Sequence, residues 1–481
     1  MSDLIVPALA SPAVKPIDLP VPSRRDVAAR VLLGLRSAGR HLLAARRAGR
    51  LDEQAVARIV RRTFDDLGGT FTKFGQLVAS APSLFGDAVS AEFRSCLDAG
   101  PPVPFPAVAA AVEADIGRPI TAAYRSFDPF PIAAASLAVV HRATLADGTP
   151  VAVKVLRPGI EERVATDLAV LGPVCNFVAR QVAVGIAGTL HGLVEGVRAQ
   201  LREELDLRNE AEAARWFAGV LDAVEAPSVR VPEPMPDLSG RRVLTMSLLD
   251  GVAVDDEAAV TALGIDMRPL LRDCLRTWFV ATLASGAFHG DIHAGNILVR
   301  ADGTVALLDW GIVGRLDADT ARFFRRTLEG ALGDETAWPE VADHIEASYG
   351  SGIREALGHP DDDTFVAFVR SQVEPMLITP FGQVDLRTML IGDGAVDGKR
   401  AGARTRREAL TNWWEERRRQ RLVMASEGYG GDFDRAQFLL AKQLVYFERY
   451  GKLYLPDTPL IDDRDAFAEL LRRTAPATVV S

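Results

Sequence analysis

Apolar residues recur at helical spacing over most of the chain, with two interruptions where the period shortens to two. From Asp26 to Leu51, Val27, Val31, Leu32, Leu35, Leu42 and Leu43 interleave with arginines, which predicts a basic amphipathic helix. Helical patterning resumes from Arg58 to Phe74 and from Val89 to Leu97, and the break at Gly100-Pro101-Pro102 ends it. Between Phe127 and Leu156, short β-rich runs flank Asp147-Gly148, the signature of a hairpin. The chain then reads as helical to Val224, as strands around Val229 to Leu249, and as helix again from Val260 to Phe288. A compact loop and second hairpin follow from His289 to Gly314, and the remainder is helical and polar. Residues 1–23, rich in Pro, Ala and Ser, are expected to be disordered. Helices with small hairpins make the expected class α+β.

Composition narrows the function less than position does. The 481 residues are 48% hydrophobic and 25% charged, an ordinary globular balance. A net charge of −9 argues against nucleic acid as a partner. That average conceals a basic arm, because eleven arginines and Lys15 outnumber five carboxylates in residues 1–62. The helix in this arm reads either as the solvated face of an extra helix or as a helix lying on an anionic membrane surface. Cys96, Cys175 and Cys274 show neither a disulfide framework nor zinc-ligand spacing. The apolar stretch from Leu168 to Val194 is broken by Asn176, Arg180, Gln181 and His191, too often for a span. With no signal-peptide pattern, the expected compartment is the cytoplasm, with peripheral contact at the inner face of the cell membrane. Lysine is scarce: only Lys15, Lys73, Lys154, Lys399, Lys442 and Lys452 occur, so each lysine invites a reason.

The densest chemistry lies in HGDIHAGNILVRADGTVALLDWG, residues 289–311. Strands Ile297 to Arg300 and Thr304 to Leu308 turn at Ala301-Asp302-Gly303 and bring Asn296 and Asp309 side by side. An amide oxygen and a carboxylate that converge in this way suit Mg²⁺ or Mn²⁺, with phosphate and water in the other positions. Asp291, on the same loop, is the candidate base for a hydroxyl that attacks phosphorus. In TPVAVKVL, Ala152 and Lys154 share one strand face, where the ammonium reaches phosphate and the alanine leaves room for a flat base. The helical segment LREELDLRNEAEAA carries Asp206 and Glu210 four apart, and one of them is expected to meet Lys154.

Five segments in order resemble the UbiB/AarF/ADCK family of atypical kinases. KFGQ, with Lys73 and Gln76, is similar to its KxGQ motif; Ala133, Ala134, Ala135 and Ser136 resemble its alanine-rich loop; ELDLRNEA, HGDIHAGN and LLDWG complete the set. The resemblance covers about residues 65–315. It implies a bilobal protein-kinase-like fold that binds ATP or ADP with a divalent metal and supports isoprenoid-quinone or other lipid metabolism at membranes. On this division residues 24–125 form a helical extension, 126–250 an N-lobe with a helical insert and 251–481 a helical C-lobe. Lys154 would contact phosphate and pair with Glu210, Asn296 and Asp309 would hold metal, and Lys73 and Gln76 would cap the site by reaching Glu204 and Asp206. On one straight helix, however, residues two apart diverge by about 200°. Departures from the family pattern are Val139, Ala294 and Ser247, none of them a metal ligand.

Alanine carries a Cβ that glycine lacks, so the alanine-rich loop should cradle a triphosphate less freely than a glycine-rich loop. Two other functions fit parts of the pattern. A phosphotransferase of the aminoglycoside or choline kinase type shares HGDxHxxN but has no evident use for a cap. A nucleotide-gated lipid-binding scaffold would use the same cleft without catalysis. Trp413-Trp414 and Arg417 to Arg419 read as helical surface or as a partner groove.

Overall fold

The computed structural model describes residues 10–49, 53–79, 87–93, 100, 102–179, 184–224, 226–349, 354, 357–385 and 435–474. Cys96, Lys399, Trp413-Trp414 and Arg417 to Arg419 lie outside the described residues. The fold is α+β and kinase-like, with two four-stranded sheets and one two-stranded pair among the described residues.

The N-terminal extension comprises α1 (Arg24–Arg47), α2 (Glu53–Leu67), α3 (Thr70–Ala79) and α4 (Asp87–Phe93). After α5 (Phe105–Ile116) and α6 (Ile120–Ala123) come β1 (Ser126–Ala134), β2 (Ala138–Thr144) and β3 (Pro150–Leu156). Two long helices, α7 (Ile160–Ala179) and α8 (Val184–Glu204), precede α9 (Leu207–Val224), β4 (Val229–Arg230) and β5 (Val243–Ser247). β5 completes an antiparallel sheet in the order β1-β2-β3-β5. Val151, Val153 and Val155 of β3 alternate onto one face and pack with Val108 and Val112 of α5. Full burial of each such side chain contributes about 1.5–3 kcal/mol. The opposite face, with Ala152 and Lys154, is left for the cleft.

Leu67, Phe71, Phe74 and Val78 join Leu193, Val197 and Leu201 of α8 in a second core, which fixes the extension onto the helical insert. Phe64 sits edge-on to Phe71, Phe74 and Phe93 within 6.2 Å, a geometry aromatic rings favour.

The C-lobe begins with β6 (Val252–Ala253), α10 (Glu257–Leu263) and α11 (Met267–Ser285), followed by β7 (Ala287–His289), β8 (Ile297–Val299), β9 (Val305–Leu307) and β10 (Val313–Arg315). Strands order as β4-β9-β8-β6, beside a β10-β7 pair. α11 is bounded by the Asp266 side chain, which accepts from Arg268 N, and by Gly286 at φ 66°. Its residues Trp278, Phe279 and Ala281 form the centre of the largest core. The rest is α12 (Ala318–Ala331), α13 (Ala337–Tyr349), α14 (Asp362–Ile378), α15 (Arg435–Tyr454) and α16 (Arg464–Arg473).

Two features of the basic arm differ from the sequence reading. Residues 10–23, expected as disordered, run extended against the body. Ile17 exchanges hydrogen bonds with Arg202, Lys15 N donates to Asn209 at 2.8 Å, and Arg315 reaches Pro12 O. Ile17 and Leu19 pack on the second core, which offsets the entropy of ordering the strap. In α1 the buried positions are two polar residues, Arg30 and Ser37, and the other arginines of the helix stay exposed. Arg30 is buried against Asp167 of α7 at 2.5 Å and Ser37 bonds Asp66, while Leu35 (66% exposed) and Leu43 (55%) face outward with Val31, Leu32 and Leu33.

Candidate functional site

Lys154 sits mid-strand, opposite Val140 of β2 and Leu244 of β5, so its ammonium emerges at the centre of the sheet's cleft face. Glu210, in the first turn of α9, accepts from it at 2.8 and 2.9 Å, and Asp309 accepts at 3.1 Å. Of the two acidic candidates, Glu210 is therefore the one that meets the lysine. Burial alone would pull the Lys154 ammonium down, but Asp309 and Glu210 reverse that and hold it above the ordinary lysine range. Burial raises Glu210 despite its partner. Asp309, also pushed up by burial, is brought well below the usual carboxylate range by Lys154 and Lys73. The lysine stays cationic and Asp309 anionic.

Asp309 is positioned by backbone geometry as well as charge. β8 pairs with β9 so that Ile297 faces Leu307, and Leu308 N donates to Asn296 O at 2.8 Å. Asp309 follows directly with φ 51°, a left-handed conformation that Asp tolerates better than most residues, and its carboxylate accepts from Gly311 N at 3.2 Å. The strands are each a residue or two shorter than expected, because Arg300 to Thr304 form the turn.

The donor set fits a hard divalent cation that is shared with phosphate. Asn296 donates its amide to Asp291 O at 3.0 Å, which leaves its side-chain oxygen for a metal, and Asp309 is 47% exposed at the cleft. Among the described residues no cluster of three or more His, Cys, Asp or Glu could hold a metal unaided. Mg²⁺ commonly binds through one or two protein oxygens plus substrate phosphates.

Asp291 lies in a loop that neighbouring backbone holds rigid. His289 is buried; its Nδ1 accepts from Asp291 N and its Nε2 donates to Leu308 O, both at 3.0 Å. That pattern fixes one neutral tautomer, and burial lowers the His289 pKa accordingly. The carboxylate meets Lys442 of α15 at 2.7 Å. Burial pushes Asp291 up, yet Lys442, His293 and Lys73 together bring it below the usual carboxylate range. The sequence reading missed Lys442. The one signal available was the scarcity of lysine, which gave no hint of a partner 151 residues away.

The cap residues divide. Lys73 of α3 meets Glu204 at 3.1 Å, and Gln76 lines the same cavity as Asp291. Asp206, expected to receive the cap too, is turned to Arg208, which it holds at 2.6 Å while accepting from Arg208 N at the start of α9. The physical reason is the break between α8 and α9: the helix does end at Glu204, but Asp206 then serves the first turn of the next one.

The alanine-rich segment closes the β1–β2 turn. Gly100 N donates to Ala134 O at 3.1 Å, Arg157 Nε donates to Ala135 O at 2.9 Å, and Ala135 N donates to Ala138 O at 2.9 Å. Ser136 is buried. A Cβ on Gly100 would collide with the Arg157 guanidinium and the Ala135 carbonyl, so this glycine does more than end a helix. Because the Ala135 N–H is engaged within the turn, it is withheld from phosphate.

The ABC1 atypical kinase-like domain matches residues 95–338. The chain belongs to this UbiB/AarF/ADCK family of atypical kinases. An uncharacterized aarF domain-containing protein kinase of Arabidopsis thaliana, described as chloroplastic, is 31% identical over 411 residues, covering 84% of this chain and 73% of the relative. An uncharacterized protein of Mycobacterium tuberculosis is 32% identical, covering 85% and 77%. A Marinobacter nauticus protein named "Probable protein kinase UbiB" is 26% identical, covering 88% and 71%. A solved structure, a Mycobacterium tuberculosis protein in complex with erythromycin, aligns with a TM-score of 0.45 at 20% identity, covering 79% of this chain and 85% of that one.

Proposed function

We propose that this UbiB-type chain is an ATP-dependent kinase or ATPase that binds adenine nucleotide with Mg²⁺ or Mn²⁺ at the cleft between its lobes. The observation that carries the reading is the convergence of Lys154, Glu210 and Asp309, from three separated parts of the chain, at 2.8–3.1 Å. A phosphate-binding lysine, its helix glutamate and a metal-binding aspartate are the parts that phosphoryl transfer requires in one place.

Asp309 and Asn296 would hold the cation, which would supply positive charge to neutralise the charge that develops on the transferring phosphoryl group. Lys154 draws in the phosphates, and Ala152 leaves space beside it for the base. Asp291 takes the proton from the attacking hydroxyl or water. That oxygen bonds to the γ-phosphorus, and the bond to the β–γ bridging oxygen breaks with its electron pair leaving on ADP. Lys73 and Gln76 share a cavity with Asp291, and this cap favours water or a guided acceptor over a freely diffusing small alcohol.

Action at a membrane surface, on or beside isoprenoid-quinone or other lipid metabolism, is supported by α1. Its outward Leu32, Leu35 and Leu43 lie among Arg24, Arg25, Arg36, Arg46 and Arg47, the composition of a helix that rests in an anionic interface. Among the described residues, no helix is long and apolar enough to cross a membrane. The expected station is the cytoplasmic side.

Calorimetric titration with ATP tests the nucleotide reading. Binding should require Mg²⁺ together with ATP, Mg²⁺ alone should give no saturable heat, and Lys154→Met should weaken binding about tenfold or more, the loss of one charge-assisted phosphate contact. Equal affinity in wild type and Lys154→Met would overturn the assignment.

A further inference from the structure

We propose that Lys442, on the far C-terminal helix α15, is the positioning residue for Asp291. The proposal rests on the phosphoryl-transfer reading and extends it to a residue outside every motif that identifies the family. Three side chains of α15 grip the catalytic loop. Gln443, fully buried, accepts from Ile292 N at 2.8 Å and donates to Gly290 O at 2.7 Å. Tyr450 donates its hydroxyl to Ile292 O at 3.1 Å. Between these anchors Lys442 donates to Asp291 Oδ1 at 2.7 Å. Backbone on either side of Asp291 is thus tied to the same helix that supplies the counter-charge.

The geometry assigns Lys442 a role that packing alone would not need. Its side chain and that of Asp291 are 21% and 18% exposed and border a cavity of about 60 Å³ together with Lys73, Gln76 and Phe438. Apart from Lys442, His293 Nε2 stands 3.8 Å from Asp291 Oδ2 on the same loop, and Lys73 of α3 borders the same cavity. Lys442 fixes Oδ1 and so sets the orientation in which Oδ2, 3.8 Å from His293 Nε2, is presented at the cavity edge where a hydroxyl or water would be activated. Without that partner the carboxylate would lose its fixed orientation and swing further toward His293.

The test is a double-mutant cycle on the full chain, read by steady-state ATP turnover and by thermal unfolding. Lys442→Met should lower kcat about 10–100-fold, part of the roughly 10²–10⁴-fold that a positioned acid–base group supplies, with KM for ATP changed less than about twofold. Lys442→Arg should recover most of the loss. In the Asp291→Asn background, Lys442→Met should add little further loss, because the residue acts through Asp291. The unfolding midpoint should likewise fall more in the presence of Asp291 than in its absence.

Wild-type kcat retained by Lys442→Met, or an equal loss in both backgrounds, would overturn the proposal while leaving the kinase reading intact. A wild-type chain that turns over no ATP would remove the kinase reading and the catalytic meaning of Lys442 together. The unfolding cycle would then still report whether the ion pair couples the two elements.

Discussion

Lys154 serves two carboxylates at once, and that sharing describes the site before nucleotide enters. An incoming phosphate would have to compete with Asp309 for Lys154, and a metal with Lys154 for Asp309, so binding would begin by separating an ion pair. Glu210, held above its ordinary pKa by burial, keeps the lysine aligned from the other side. At the alanine-rich turn, Ala134→Gly gives the backbone freedom that a Cβ denies. It should change the ratio of ATP to ADP affinity by about two- to fivefold, the equivalent of the roughly 0.5–1 kcal/mol of a glycine effect. Unaltered affinities and hydrolysis for Ala134→Gly would refute the account of this loop.

Among the elements, α1 is where periodicity misleads. A helical stripe of leucines predicts which residues share a face, but the pattern does not tell which face the body covers. Here Arg30 decides, because its guanidinium bonds both Asp167 and Leu67 O and turns its own face of the helix toward the body. Arg30→Ala leaves Asp167 buried without its counter-charge and should cost about 3–5 kcal/mol in urea unfolding. A change below about 1 kcal/mol would mean that water or another group satisfies Asp167. The β8–β9 hairpin lies at the other extreme of legibility. Asn296 and Asp309 are close in sequence, and a short turn fixes their register, so local pattern sufficed. The α15 contacts with the loop around Asp291 span about 150 residues, and neither Lys442 nor Gln443 belongs to any motif, so only the folded chain reveals them. Asp206 is an intermediate case: a helix break was foreseeable, but its pairing with Arg208 at the start of the next helix was not.

For the whole molecule, the strap of residues 10–23 crosses from Arg315 in the C-lobe to Arg202 and Asn209 beside the insert. It continues into α1, so the basic surface is joined to the helix pair that holds the cap glutamate. The triple substitution Leu32→Ser, Leu35→Ser and Leu43→Ser removes apolar area from the outward face and leaves Arg30 in place. Co-sedimentation with anionic liposomes should fall about tenfold or more, and wild-type binding should weaken with salt as surface charge is screened. Equal sedimentation of the triple variant would eliminate the membrane role of α1.

The most direct measurement of the central claim is Mg²⁺-dependent ATP turnover by wild type and Asp309→Asn. Asparagine preserves the side-chain shape and the contact with Gly311 N while removing the charge that pairs with Lys154 and would bind metal. The account predicts a loss of about 10²-fold or more, the scale expected when electrostatic stabilisation of a transferring phosphoryl group is removed. Turnover by Asp309→Asn equal to that of wild type would contradict it.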